Sequence, residues 1–307
     1  MFKTYYDEED NLDANLLKSS WVTPAIEFYD EETCRGRAVT SLDWSLKHQE
    51  LLLSAYTKSD AYNINQSNGL IYLWSLAMRK TPEFTFTCQT EVTSAIFHKF
   101  NPKIVIGATY TGQILMWDTR GKPLPIQKTP PSGKFHSYPI YCLGVTGTTN
   151  ANHIISVSND GVLCTWSMSN LSKPTKRIEL KAKKRKFGSE LEGKLEKTYT
   201  DDIGAICLAT QEGETNNIFL GSDDSDIYQV GIHQGNESTD NIVEVYRKHT
   251  GPIHSLDLHP GDSHKSSNVI YFLKDYSFLI FFCLLLLIGL LISGPRTFLK
   301  RRCLLST

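Results

Sequence analysis

Residues Ile140 to Met168 read IYCLGVTGTTNANHIISVSNDGVLCTWSM. An apolar strand in this stretch leads into the polar turn Asn159-Asp160-Gly161, and a second apolar strand follows the turn and ends in Trp166. Asn, Asp and Gly are residues that the chain uses to reverse direction between two strands. The stretch therefore predicts a pair of adjacent antiparallel strands.

Three other stretches repeat this pattern of strand, turn and strand. They read VTSLDWSLKHQELLLSAY (Val39 to Tyr56) followed by NGLIYLWSL (Asn68 to Leu76), VTSAIFHKFNPKIVIGATYTGQILMWDT (Val92 to Thr119) and IGAICLATQEGETNNIFLGSDDSDIYQVGI (Ile203 to Ile232). Trp74 and Trp117 end the second strand of the first two, and Val230 occupies the equivalent place in the last. Such self-similarity at a fixed period is typical of repeat architectures.

The spacing of the repeats predicts an all-β propeller. The steps from Trp74 to Trp117 and on to Trp166 are 43 and 49 residues, and the step to Val230 is 64 residues. A propeller blade of four antiparallel strands takes about 40 to 45 residues. The last step therefore fits one blade plus an inserted loop, which we place at Lys181 to Lys197.

The repeats predict an incomplete propeller of about four blades and the start of a fifth. His249 and Ile253 begin the fifth unit at the same offset as His136 and Ile140 in the third. The expected boundaries are residues 36–80, 88–125, 136–180, 198–235 and 249–265, preceded by an N-terminal arm or linker over 1–35. An open series of blades leaves unpaired strand edges, so we expect either a fragment or a chain that something else completes.

Four residues of the third unit are candidate structural residues of a blade: His136, Ser158, Asp160 and Trp166. The pattern resembles WD-repeat proteins, in which such residues form a buried hydrogen-bonded set that joins the strands of one blade. A catalytic interpretation would make Ser158 the nucleophile and His136 the base. We favour the structural role, because a nucleophile and its base must meet in an exposed pocket.

The other units keep the set imperfectly. The second unit offers Thr109, Thr111 and Trp117, the first offers Asn68 and Trp74, and the fourth offers Ser222 and Asp224. His249 takes the His position in the fifth unit.

Features that are not part of the repeat pattern resemble one family. They are FYDEE (Phe28 to Glu32), CQT (Cys88 to Thr90), PIQKTP (Pro125 to Pro130) and TNANH (Thr149 to His153). These segments are similar to cytoplasmic dynein intermediate chains, and the similarity extends from about Phe28 to Pro260.

This resemblance implies a non-catalytic scaffold subunit of the dynein motor, located in the cytoplasm on microtubules. The propeller would bind the dynein heavy chain, and ATP hydrolysis would belong to that chain. Family members carry their light-chain sites in a long N-terminal region. Since 27 residues precede Phe28 here, we expect the light-chain sites to be missing. The family propeller has seven blades, which again predicts that this sequence holds part of one.

Composition excludes several other classes of function. The net charge of −1 argues against general nucleic-acid binding. The seven cysteines form no C-x-x-C pair, which disfavours zinc and suits a reducing compartment. No phosphate-binding loop or hydrolase motif is found. We therefore expect no enzyme activity, no metal and no cofactor. Met1 to Asp13 is acidic rather than apolar, so no signal peptide is expected at this end.

The C-terminal sequence departs from the repeats. Residues Phe278 to Ile292 read FLIFFCLLLLIGLLI, within an apolar segment over 276–294 that a basic tail over 295–307 follows. By pattern this predicts an apolar helix able to span a membrane, and hence an alternative function as a membrane-anchored propeller adaptor for cytosolic proteins. An altered C-terminus, from an alternative last exon or read-through, is the interpretation that we favour. A third interpretation makes Val269 to Leu273 and Ser277 to Phe281 strands of a fifth blade.

Overall fold

The computed structural model describes residues 26–60, 67–78, 80–131, 135–185, 198–211, 215–233, 241–247, 249–258 and 270–272. This part of the chain is all-β, with a single helical turn, α1 (Glu31–Cys34), ahead of strands β1 to β20. Residues 1–25 of the predicted arm over 1–35, the apolar segment over 276–294 and the basic tail over 295–307 lie outside the described residues. In the described part, no helix has the length and apolar character that a bilayer crossing requires.

Most strands belong to four antiparallel sheets of four strands each, which we call blades 1 to 4. Blade 1 contains β1 (Val39–Trp44), β2 (Leu51–Tyr56), β3 (Gly69–Ser75) and β4 (Phe84–Cys88). Blade 2 contains β5 (Val92–Phe97), β6 (Ile104–Thr109), β7 (Ile114–Asp118) and β8 (Gln127–Lys128). Blade 3 contains β9 (Ile140–Gly147), β10 (Asn152–Ser158), β11 (Val162–Ser167) and β12 (Lys176–Glu179). Blade 4 contains β15 (Ala205–Thr210), β16 (Asn217–Ser222), β17 (Asp226–Gly231) and β18 (Ile242–Arg247).

Two short hairpins accompany the blades. Strand β13 (Lys181–Arg185) pairs with β14 (Thr198–Asp202) between blades 3 and 4. Strand β19 (Leu256–Leu258) pairs with β20 (Ile270–Phe272) after blade 4. The expectation of a loop over Lys181 to Lys197 is therefore wrong at its start, where Lys181 to Arg185 form a strand. Residues 186–197 of that insertion lie outside the described part.

The middle strands of the blades are apolar on both faces because each blade is covered on both sides. Every residue of β3 is buried, and so are five successive residues of β10 and of β11. A strand with one solvated face would instead alternate between apolar and polar residues. The near-continuous apolar runs in the sequence thus reflect sheets stacked face to face.

Adjacent blades pack through separate hydrophobic clusters. The cluster between blades 1 and 2 includes Leu53, Ile71, Phe97 and Trp117, all of them buried. Comparable clusters fill the spaces between blades 2 and 3 and between blades 3 and 4. The first strands β1, β5, β9 and β15 contact one another in that order. This arrangement is consistent with successive blades of a propeller, and the described sheets do not close into a ring.

The two outer faces of the series are also covered. On blade 1, the segment around α1 lays Phe28 and Cys34 against Tyr72 and Trp74. The Asp30 carboxylate accepts hydrogen bonds from the Thr33 hydroxyl at 2.6 Å and from the Tyr72 hydroxyl at 3.2 Å. On blade 4, side chains of the β19 region pack on the sheet, among them Ile253 and Leu256. Local segments thus bury the terminal sheet faces.

Polar side chains link the first strands of neighbouring blades. The Ser41 hydroxyl accepts a hydrogen bond from the Ala95 amide at 2.8 Å, and the Asp43 carboxylate accepts one from the Phe97 amide at 2.7 Å. The Thr93 hydroxyl donates to the Ile140 carbonyl of blade 3. Burial raises the pKa of Asp43 to about 6, although its hydrogen bonds to backbone amides act in the opposite direction. The link between blades 1 and 2 therefore includes a carboxylate whose charge is costly to bury.

The substitution Asp43→Asn tests this cost. A carboxyl group with a raised pKa in the folded state stabilises the fold below its unfolded pKa, and that stability is lost as the pH rises through the folded value. Between pH 4 and pH 7 we expect the wild-type chain to lose about 2 kcal/mol relative to the variant, in which an amide oxygen still accepts the Phe97 N–H. Urea unfolding of both proteins across this range measures the difference. A difference that is constant with pH would contradict the assignment.

Candidate functional site

The polar residues predicted for the third unit lie together in the interior of blade 3. The His136 ring, 3% exposed, lies between two serine hydroxyls. Its Nδ1 is 2.8 Å from Ser158 Oγ, and its Nε2 is 2.7 Å from Ser156 Oγ. The Trp166 indole N–H donates to Ser156 Oγ at 2.8 Å, and Ser158 Oγ donates to Asp160 Oδ1. The five residues form one continuous chain of hydrogen bonds.

The two ends of this chain indicate the direction of the hydrogen bonds between them. The Trp166 indole can only donate, and an ionised Asp160 can only accept. Ser158 gives its proton to Asp160, so its oxygen accepts from His136 Nδ1–H. Nε2 of the neutral ring then accepts the Ser156 proton. The Ser156 hydroxyl also lies 3.4 Å from the Cys164 carbonyl, but its contact with Nε2 is shorter, at 2.7 Å. The hydrogen bonds of the chain thus fit a neutral imidazole that is protonated at Nδ1.

The electrostatics of the site favour that neutral ring. The pKa of His136 is lowered to about 4, mainly by burial; the Asp160 charge acts in the opposite direction, and the Arg177 cation adds a smaller lowering. The loss of hydration outweighs the attraction to the carboxylate. His136 is therefore neutral at physiological pH, in agreement with the hydrogen-bond geometry.

The turn that carries Asp160 depends on a backbone shape that favours glycine. Gly161 has φ of +76°, and a Cβ there would lie 2.8 Å from the Leu180 carbonyl oxygen. Gly112 occupies the same place in blade 2 with φ of +78°, and in blade 4 Ser225 adopts φ of +69°. The turn is therefore the same in all three blades, and blade 4 forms it with a residue that carries a Cβ.

Blade 1 retains part of the hydrogen-bonded chain. The Trp74 indole N–H donates to Ser54 Oγ at 2.8 Å, and Ser54 Oγ donates to the Tyr56 hydroxyl at 3.1 Å. Strand register places Ser54 and Tyr56 where blade 3 has Ser156 and Ser158, because Trp74 lies opposite Leu52 as Trp166 lies opposite Ile154. The Tyr56 hydroxyl thus accepts the serine proton that the His136 ring accepts in blade 3, although Tyr56 itself lies at the strand position of Ser158. Asn68, in the turn, donates instead to the Gln89 carbonyl.

In blade 2 the chain is interrupted at its centre. Gly107 lies at the position of Ser156 and brings no hydroxyl. The Trp117 indole nitrogen is buried and has no hydrogen-bond partner among the described residues. Its ring covers Gly107 so closely that a Cβ there would lie 2.8 Å from Trp117 Cζ3. The predicted residue Thr109 bonds to Thr111 at 3.1 Å, separately from Trp117.

Blade 4 has apolar residues at two of the positions that carry the hydrogen-bonded chain in blade 3. Leu220 lies at the position of Ser156, and Val230 lies opposite Ile218 as Trp166 lies opposite Ile154. Ser222 is buried and donates to the Asp226 carbonyl at 3.0 Å, while Asp224 is exposed in the turn. His249 is half-buried in the segment before β19.

Sequence analysis missed Ser156, which lies at the centre of the chain. The signal that could have found it is its place two residues before Ser158, which Ser54 shares relative to Tyr56. A lone serine in an apolar strand must find a hydrogen-bond partner once it is buried.

The site has the burial expected of a structural network. Ser156, Ser158 and Trp166 are fully buried, so a substrate atom cannot reach the serine hydroxyls. Among the described residues, no group of acidic, cysteine and histidine side chains could hold a metal ion. The fold and this site define a repeat protein of four-stranded blades whose buried polar residues hold strands together.

A scan against models of known protein families finds no match to this chain. Comparison with individual proteins finds cytoplasmic dynein 1 intermediate chain of Drosophila melanogaster, 38% identical over 234 residues. The aligned region is 76% of this chain and 32% of that protein, so the chain spans about a third of the length of its relative. Over the aligned region the chain belongs to the family of dynein intermediate chains.

The substitution His136→Gln tests the hydrogen-bonded chain through its pH dependence. A histidine whose pKa is lowered by folding contributes stability above its unfolded pKa, near 6.5, and this stability is lost as the pH falls towards 4. The wild-type chain should therefore lose about 3 kcal/mol relative to the variant between pH 7 and pH 4. Urea unfolding at each pH measures the difference. Parallel stability curves for the two proteins would show that His136 is not buried as a neutral ring.

A matched pair of tryptophan substitutions tests the interruption in blade 2. Trp166→Phe and Trp117→Phe remove similar volumes from the core. The first substitution also breaks a hydrogen bond and leaves Ser156 short of a donor, whereas the second removes an indole N–H without a partner. We expect Trp166→Phe to cost about 1 to 2 kcal/mol more than Trp117→Phe. Thermal unfolding of the two variants compares them, and equal costs would refute the difference between the blades.

Proposed function

We propose that this chain is a non-catalytic scaffold subunit of cytoplasmic dynein whose blades bind the dynein heavy chain. The observation that carries this proposal is the 38% identity to a dynein intermediate chain, because the alignment covers 234 residues. A subunit of this kind would act in the cytoplasm on microtubules and would contribute no ATP hydrolysis. Its contribution would be to connect the motor chain to other components.

The structure supports a binding role rather than a catalytic one. The polar groups of blade 3 are used internally, since each bonds to a neighbour within the blade. The surface instead carries large exposed side chains on loops and strand ends, among them Tyr110 (53% exposed), Leu124 (60%) and Tyr138 (55%). Tyrosines are enriched at protein interfaces, where their rings bury area at low entropic cost.

Co-precipitation with the dynein heavy chain tests the proposal. Purified chain, shown by circular dichroism to be folded, is mixed with the tail region of the heavy chain and captured through a tag. We expect the heavy chain to be retained by the folded chain and not by the same preparation after unfolding in urea. An unrelated propeller of similar net charge serves as the matched control. A folded sample that captures no more heavy chain than the control would contradict the proposal.

Carbonate extraction of membranes tests the alternative of a membrane-anchored adaptor. That alternative depends on the apolar run Phe278 to Ile292, which lies outside the described residues. A subunit held only by the motor complex is released at alkaline pH, whereas a chain with an inserted apolar helix stays in the pellet. Retention in the pellet would favour the adaptor.

A further inference from the structure

One end of blades 1 and 2 carries a surface that is both basic and apolar. It is formed by the loops over 45–50, 76–83, 98–103 and 119–126, which follow β1, β3, β5 and β7 and therefore lie at the same end of the sheets. We call it the basal surface. Its described basic residues are Lys47, Lys80, Lys99, Lys103, Arg120 and Lys122, against the acidic residues Glu50 and Glu83. Asp118, just ahead of the last loop, pairs with Arg120 at 2.6 Å, so the lysines carry the uncompensated charge.

Large apolar side chains are exposed among these charges. Leu46 is 68% exposed, Met78 46%, Leu124 60% and Ile126 52%. Apolar side chains grouped in this way, with charged residues around them, mark interaction sites on protein surfaces.

Hydrogen bonds join the four loops into one continuous surface. Lys47 Nζ of blade 1 donates to the Phe100 carbonyl of blade 2 at 3.3 Å. The Thr119 amide donates to the Lys103 carbonyl at 2.9 Å, and the Leu76 amide to the Glu50 carbonyl at 3.0 Å. The loop over 119–126 also reaches blade 1, where the Pro123 carbonyl accepts from the Thr87 amide at 2.9 Å. Lys47 and Lys99 line a single cavity together with Asp43.

The chain reaches blade 1 from the side of this surface. The Phe28 ring contacts the Trp74 ring, with 5.7 Å between their centres, near the basal end of β3. Arg37, further along, donates to the Thr57 and Asn68 carbonyls at the opposite end of the blade. The segment from Phe28 to Arg37 therefore runs away from the basal surface, and its N-terminal end lies on the basal side.

The sequence ahead of that segment complements the basal surface. Tyr5 to Leu17 reads YYDEEDNLDANLL, which combines five acidic residues with two tyrosines and three leucines. Residues 18–25 connect it to the described chain. An extended chain spans about 3.3 to 3.6 Å per residue, so these eight residues reach up to about 28 Å. That reach is enough to cross from blade 1 to blade 2.

We propose that Tyr5 to Leu17 docks on the basal surface of the same chain. Its carboxylates pair with the lysines, and its tyrosines and leucines cover the exposed apolar side chains. Because the segment is tethered nearby, its effective concentration at the surface is high, in the millimolar range for short flexible linkers. The ion pairs at the rim are exposed, so the docking weakens as salt screens them. The segment then occupies a surface that a partner would otherwise reach.

Carbodiimide cross-linking of the full chain tests this docking, since it joins a carboxylate to an amine only when the two are in contact. Trypsin releases the acidic residues together in the peptide Thr4 to Lys18. We expect this peptide to be linked at least fivefold more to the basal lysines Lys47, Lys99, Lys103 or Lys122 than to Lys58 or Lys128. The linkage to the basal lysines should fall at 0.5 M salt, where charges are screened about twice as strongly as in physiological buffer. Linkage no greater at the basal lysines than at Lys58 and Lys128 would overturn the proposal.

A matched pair of charge reversals provides the control. Lys47→Glu with Lys103→Glu should lower the remaining linkage to Lys99 and Lys122 at least fivefold. Lys58→Glu with Lys128→Glu, which changes the net charge equally on exposed residues elsewhere, should leave it unchanged. Equal effects of the two pairs would show general electrostatic attraction and overturn the docking. Links found only between copies in a mixture of light and isotopically labelled chains would assign the surface to a second copy instead.

Binding of a separate peptide gives a measurement independent of cross-linking. A labelled peptide of residues 4–18 is titrated into the wild-type chain and into a full chain whose acids at positions 7, 8, 9, 10 and 13 are replaced by their amides. The peptide should bind the amide variant at least tenfold more tightly, because the wild-type segment competes from within the chain. Equal binding to both chains, or to neither, would refute intramolecular docking.

Discussion

The face-to-face burial of apolar sheets is the constraint on which the rest of this structure depends. A single sheet of four short strands cannot bury enough apolar surface to be stable, so each blade requires a neighbour on both of its faces. Blades 1 to 4 supply this cover to one another, as the fully buried β3 shows. At the two outer faces the segment around α1 and the β19 region supply it instead. The polar links and the surface loops are all positioned by this stacking.

Within that stacked core, blades 1 and 3 pair buried polar side chains with one another. In blade 3, five residues form one chain of hydrogen bonds around the buried His136 ring, and burial keeps that ring neutral. Blade 1 has a shorter chain of hydrogen bonds, in which the Tyr56 hydroxyl accepts the serine proton that the His136 ring accepts in blade 3. Blade 4 has replaced the central positions with Leu220 and Val230, which need no partner. Blade 2 retains Trp117 but has Gly107 in place of the serine. Its buried indole N–H therefore has no hydrogen-bond partner among the described residues, which lowers the stability of the fold.

Charge is unevenly distributed over the described loops, which gives the chain two chemically distinct surfaces. The basal loops of blades 1 and 2 are rich in lysine. The opposite end of blades 3 and 4 carries Asp160, Asp201, Asp202, Asp223 and Asp224. Complementary potentials determine which partners approach an interface and how fast they associate. The chain thus presents two surfaces of different charge, although its overall charge is close to zero.

The sequence by itself determined the all-β class, the strand-turn-strand repeat and the family, because these depend on local periodicity and on motifs contiguous in the chain. It also singled out His136, Ser158, Asp160 and Trp166, whose types recur in a fixed order. Only the tertiary structure showed that Ser156 completes the chain of hydrogen bonds, that Gly107 interrupts it in blade 2 and that Lys181 to Arg185 form a strand. These features depend on which atoms meet across strands and between sheets, and residue spacing along a chain does not specify such contacts.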